Sequence, residues 1–176
     1  MGNCDIKIPK IIQIGSEKLE RILSDTTEYL DTGMKIILSN AYALLGYYAK
    51  ELKEGRVAAS ADVVFLSDDK PELLFYNEFK LDDLKERIHE NYDGTGIRTA
   101  LSRTDIEGLV LGAMLADHLD IDEDMLTDYA LTFLDWYVEA IKNEKTIISI
   151  NTETGDYKIV EGDLMRRLQK RMQKSS

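Results

Sequence analysis

His89 and His118 are the two histidines of this chain, and each has an aspartate four residues later, Asp93 and Asp122. Positions four apart share one face of a helix, so each pair could offer an imidazole and a carboxylate to one cation. Two such pairs brought together would make a carboxylate-rich, two-histidine metal site. Glu86 and His89 also match the E-x-x-H unit of di-iron helix bundles. That chemistry needs the unit twice, and the position three before His118 is Leu115. The plainer expectation is a pair of polar neighbours on an amphipathic helix, with no metal or other cofactor.

Asp93-Gly94-Thr95-Gly96, with Arg98 close by, is the one glycine-rich loop. Backbone amides in such a loop can cradle phosphate. Phosphate loops generally follow a strand, whereas this one follows a predicted helix and lacks Gly-Lys-Thr, so a helix cap and turn is the simpler expectation. Asp120, Asp122, Asp124 and Asp128 fall where a calcium loop places its first ligands. Met125 stands where that loop requires glycine and Leu131 where it requires a bidentate acid, which excludes an EF-hand. Serine and cysteine triads have few ways to be built from two histidines. There is no G-x-S-x-G or H-E-x-x-H motif, and Cys4 has no neighbouring histidine. Tyr42, Tyr47 and Tyr48 cluster on one predicted helix, where packed core is favoured over a phenolic pocket. A small metal- or phosphate-binding domain or hydrolase, with its site near His89, Asp93 to Gly96 and His118, is the second functional reading.

Charge carries the first. Residues 101–140 hold ten acidic side chains and one base, Arg103, in a chain of net charge −11. On a helix over 123–143, Leu126, Tyr129, Ala130, Phe133, Tyr137, Ala140 and Ile141 share a broad face. Asp124, Asp128, Asp135 and Glu139 fall in a narrow strip opposite. Like charges four apart repel, and a cationic partner would relieve that. Asp117, Asp120, Asp124, Asp128, Asp135 and Glu139 are therefore the expected partner-binding residues. They suit a non-enzymatic binding protein whose carboxylates occupy a partner's basic surface, as an inhibitor filling a nucleic-acid-binding groove would do. From Leu164 onward the balance reverses: the segment holds five bases, Arg166, Arg167, Lys170, Arg171 and Lys174, and no acid. Docking of this basic tail (164–176) through Leu164, Leu168 and Met172 is one expectation; its use on a partner, or on a second copy in a self-associating structural protein, is the other. The acidic body argues against direct duplex binding.

Several elements must position these groups. Ile6 to Ile14 reads as a strand with Pro9 suggesting an edge, and Ser16 caps a helix on Leu19, Ile22, Leu23 and Leu30. A helix from about Met34 to Glu54 is apolar nearly all round, as a central helix would be. Val57–Leu66 and Leu73–Phe79 form a hairpin across a polar turn. A helix on Leu81, Leu84 and Ile88 follows, then a capping box, Thr104 with Glu107, opening a very apolar helix. After the acidic helix come strands at Lys145–Asn151 and Asp156–Val160 and a short basic helix. The expected class is α+β: five or six helices with a small mixed or antiparallel sheet built from an N-terminal strand and two hairpins.

Length suits one domain, residues 1–176. The longest nearly uncharged stretch, Ile36 to Ala49, is too short to cross a bilayer. A single cysteine, with no cationic and apolar leader, points to a reducing cytoplasm.

Overall fold

The computed structural model describes residues 12–65, 71–91, 97–99, 119–121 and 125–175. Among them the chain forms strand β1 (Ile12–Ile14), helices α1 (Glu17–Tyr29) and α2 (Met34–Lys53), strands β2 (Val57–Phe65) and β3 (Pro71–Phe79) and helix α3 (Leu81–Asn91). Strand β4 (Ile97–Thr99), helix α4 (Leu126–Lys142), strands β5 (Thr146–Ile150) and β6 (Tyr157–Ile159) and helix α5 (Asp163–Ser175) follow. This is an α+β fold. The expected helix at Thr104 to Leu115 lies outside the described residues.

Local chemistry places the boundaries. Ser16 Oγ accepts the Leu19 N–H at 3.1 Å and starts α1, as a side-chain cap should. Gly55, at φ +79, turns the chain from α2 into β2, a backbone state that glycine adopts without steric cost. Asn151 Oδ1 accepts the N–H groups of Glu153 and Thr154 in the β5–β6 turn. Gly155, at φ +75, completes that turn.

Four strands make the main sheet, in the order β3-β2-β5-β6, every neighbour antiparallel. The N-terminal strand stands apart from it: β1 pairs with β4, with Ile12 opposite Thr99. On one face of the sheet Ala58, Phe79, Ile147 and Val160 join the main core with α2 and α4. The other face gathers Ala59, Ala61, Ile148 and Ile150 into a second cluster. Phe79 and Trp136 stack at 4.4 Å with 7° between planes, and Tyr48 stacks on Phe133 at 4.8 Å. Such aromatic pairs contribute beyond their buried area, and these four join α2, β3 and α4. No helix among the described residues is long and apolar enough to cross a membrane.

Candidate functional site

The acidic strip does not stand outward as a row. Helix α4 is buried on nearly every side, from Leu126 to Ile141. Asp128 is 3% exposed, and its Oδ1 accepts the Gly15 N–H at 2.7 Å. Burial pushes the Asp128 carboxyl up from its ordinary range, and the Gly15 hydrogen bond opposes that. Next to it Tyr42 Oη and Thr127 Oγ1 share a hydrogen bond of 2.6 Å. Glu139 is exposed but lies 3.5 Å from Arg87 of α3. Asp135 is half-buried: burial and the Glu139 charge raise its pKa, while Arg87, Lys18 and Lys142 lower it. Asp120 is exposed, at φ +52, and Asp117 and Asp124 lie outside the described residues. The expectation of an open, unneutralised row is thus corrected for Asp128 and Glu139. The cause is that β1, α1 and α3 cover the side of α4 on which the carboxylates lie.

The basic tail docks as a helix. Leu164, Met165 and Leu168 are buried in the main core, with Met172 half-buried beside them. Among the described residues, no ion pair joins Arg166, Arg167, Lys170 or Lys174 to Asp128, Asp135 or Glu139. Arg167 pairs with Asp163 within its own helix at 2.7 Å. Arg171 lies over the Tyr29 ring at 5.6 Å, together with Lys142 at 4.1 Å. Arg166, Lys170 and Lys174 are exposed.

The histidine and glycine candidates are not brought together among the described residues. Glu86 and His89 are exposed on α3. Arg98 is in β4, opposite Gln13. Asp93, Gly94, Thr95, Gly96, His118 and Asp122 lie outside the described residues. Among those described, no three His, Cys, Asp or Glu side chains are grouped to hold a metal ion.

Sequence reasoning missed a buried carboxylate. Glu51, near the end of α2, is 2% exposed. Its Oε2 accepts from Ser149 Oγ of β5 at 2.6 Å, and its Oε1 meets Lys158 Nζ of β6 at 3.1 Å. Burial raises the Glu51 pKa, but the hydrogen bonds from Ser149 and Lys158, the Lys158 charge and the Tyr47 hydroxyl outweigh it and hold the carboxyl low. The one available signal was Glu51 itself, the one acid of α2. An adjoining cavity of about 10 Å³ is lined by Tyr47, Tyr48, Glu51, Phe133, Tyr137 and Ser149. That is no larger than one water, so the cluster clamps β5 and β6 to α2 and has no room for a substrate. Tyr42 and Tyr48 are core residues; the Tyr48 hydroxyl donates to the Phe79 carbonyl at 2.9 Å. Burial pushes the Tyr42 hydroxyl up to about 12.

The feature that is open to solvent is the β2–β3 hairpin. Pairing of β2 with β5 ends at Ala61 opposite Thr146, while β2 continues to Phe65 beside β3. Among the described residues, the outer half of the hairpin therefore has strand neighbours only within itself. A bulge sits there: Asp62 faces Phe75 and Val63 faces Leu73, leaving Leu74 as the extra residue. Leu74 is 61% exposed, Phe75 57% and Val64 39%. Alternation along β3 puts Phe75 on the sheet face of Phe79, but beyond the cover of the helices. No described strand pairs with the outer side of β3. No family profile, curated protein or solved structure matches this chain.

Proposed function

We propose that this chain is a non-enzymatic binding protein whose working surface is the outer edge of β3. The supporting observation is the exposure of Leu74 and Phe75 on a nine-residue edge strand, with Val64 of the paired strand β2 exposed as well. Folded proteins blunt long apolar edges with lysines, prolines or cover, because an open edge pairs with other chains. Here Pro71 and a bulge at Leu74 are present, yet Leu73-Leu74-Phe75-Tyr76 is an unbroken apolar run between Glu72 and Asn77. Three large apolar side chains on one projecting hairpin make a docking patch rather than scattered surface residues.

The partner is a protein segment that adds as a strand, with main-chain hydrogen bonds supplying affinity and side chains supplying selectivity. Its charge follows from the edge it meets. Strand β3 carries Glu72 and Glu78 and no cation, in a chain of net charge −11. Glu72 is exposed, and among the described residues Glu78 pairs with the exposed Lys80 alone, at 3.3 Å. A segment alternating Lys or Arg with β-branched residues complements it. The inhibitor reading built on the acidic helix loses its support, since Asp128 is in the core and Glu139 meets Arg87.

The test uses a labelled peptide of alternating lysine and valine and a proline-interrupted control. Titration with hydrogen exchange should show binding of the first alone, with new protection over 71–79. Leu74→Asp with Phe75→Asp should abolish both. Equal binding of the two peptides, or protection elsewhere only, would sink the reading.

A further inference from the structure

Helix α5 carries Arg166, Lys170 and Lys174, spaced four apart and all exposed. That spacing sets them in one row with about 6 Å between neighbours. None of the three makes an ion pair with a described residue; the pair formed within α5 uses Arg167 instead. Helix α3 carries the opposite row. Asp82, Glu86 and Glu90 have the same spacing, are exposed, and make no ion pair among the described residues. Lys85 and His89 flank that row, and Arg87 is turned to Glu139. Each row repels itself, and each has the length and spacing the other requires.

The two rows cannot meet within one molecule. Helix α3 reaches α4 at Glu139, through Arg87. Helix α5 reaches α4 at Ile141, which shares a groove with Met165, Arg166 and Gln169. Residues 139 and 141 are about 200° apart around a helix, so α3 and α5 flank α4 from opposite sides.

We propose that a second copy of this chain supplies the match: the cationic row of α5 in one molecule lies along the anionic row of α3 in the next. The two surfaces differ and face apart, so the contact is head to tail and propagates into a ring or a fibre instead of closing as a twofold dimer. A lipid surface fits α5 less well, because Leu164, Met165 and Leu168, the residues that would enter it, are already in the core. A nucleic acid fits less well, because the remainder of a chain of net charge −11 repels phosphate. Exposed pairs are individually weak and screened by salt. The association is therefore weak, and strongest at low ionic strength.

Sedimentation velocity over a concentration series tests this. In about 0.02 M salt the average mass should rise with concentration, and in about 0.5 M salt the association constant should fall at least tenfold. Two charge-reversed chains sharpen it: Arg166→Glu/Lys170→Glu/Lys174→Glu, and Asp82→Lys/Glu86→Lys/Glu90→Lys. Each alone should be monomeric, an equimolar mixture should associate, and the chain carrying all six changes should associate like the original. All six positions are exposed, and circular dichroism checks that each variant is folded. Leu74→Asp with Phe75→Asp should leave the association intact, which separates this contact from the β3 edge. The proposal is overturned if the original chain is monomeric at low salt. It is equally overturned if either reversal leaves association unchanged, or if the mixture stays monomeric. Retention on anionic vesicles or a duplex oligonucleotide, with no self-association under the same conditions, would assign the α5 row to that ligand instead.

Discussion

Gly15 and Asp128 are 113 positions apart, and the backbone N–H of the first donates to the carboxylate of the second at 2.7 Å inside the core. This bond ties the β1–α1 junction to the first turn of α4. Carboxylates are favoured in the first turn of a helix, which offsets part of the cost of burying Asp128.

Removing the acceptor should expose that dependence. Asp128→Ala leaves a buried N–H without a partner and is expected to cost about 1–3 kcal/mol of stability. Asp128→Asn keeps an oxygen at that place and should cost less. The pH sign is fixed by the raised pKa. The folded chain holds the Asp128 proton more tightly than the unfolded chain, whose value is about 3.9. The original chain should therefore gain stability relative to Asp128→Asn as pH falls through the folded pKa toward the unfolded one, then level off. Urea unfolding of both chains from about pH 7 to about pH 3.5 reads this directly. A relative loss over that range would contradict a raised pKa.

Glu51 should behave in the opposite way. Its folded pKa is lowered, so its ionised form contributes stability above the unfolded value of about 4.3. That contribution is lost as pH falls through the folded pKa. Glu51→Gln retains an oxygen for Ser149 but gives up the charge opposite Lys158. It is expected to cost about 1.5–3 kcal/mol at neutral pH, the range for a hydrogen bond to a charged group. The gap between the two chains should narrow on acidification; a gap independent of pH would mean that the Glu51 charge does not hold β6.

The opposite pH responses of these two acids show which features the chain made legible. Apolar period, Ser16 as a cap and the turn residues placed nearly every described element within a few positions, because those signals are local. Burial of a whole helix is not local. Asp128, Asp135 and Glu139 share one side of α4, yet Leu131, four residues before Asp135 on the same side, is fully buried. An apolar residue within an acidic strip marks a covered face, and only long-range packing of α1, β1 and α3 supplies the cover. The Glu51–Ser149–Lys158 cluster joins residues about a hundred positions apart, and no spacing rule reaches across that distance.

Tyr137 presents a different imbalance. Its hydroxyl is buried and has no hydrogen-bond partner among the described residues. Besides the Glu51 and Ser149 side, the small cavity it lines is walled by carbon from Leu44, Ala58, Phe133, Ile147, Ile148 and Val160. Apolar cavities of this size stay dry, so the hydroxyl bears a desolvation cost without return. Tyr137→Phe is expected to raise stability by about 1 kcal/mol, read as an increase in midpoint on thermal or urea unfolding. A loss of similar size would show that the hydroxyl has a bound partner in solution.

Two positions of β3 should separate stability from binding. Phe79 is 4% exposed and packs between Trp136 and the Arg87 guanidinium. Phe79→Ala is expected to cost about 3–5 kcal/mol, the range for emptying a large aromatic site. Leu74, in the same strand, is 61% exposed and sits at the bulge. Leu74→Ser should change stability by no more than about 0.5 kcal/mol, as surface substitutions usually do. If the β3 edge is the working surface, that neutral change should nonetheless weaken capture of the alternating lysine–valine peptide severalfold. A residue that is dispensable for folding yet required for binding is explained by contact with a partner. Should Leu74→Ser destabilise the fold as Phe79→Ala does, its side chain is holding the hairpin together, and the edge loses its claim to function.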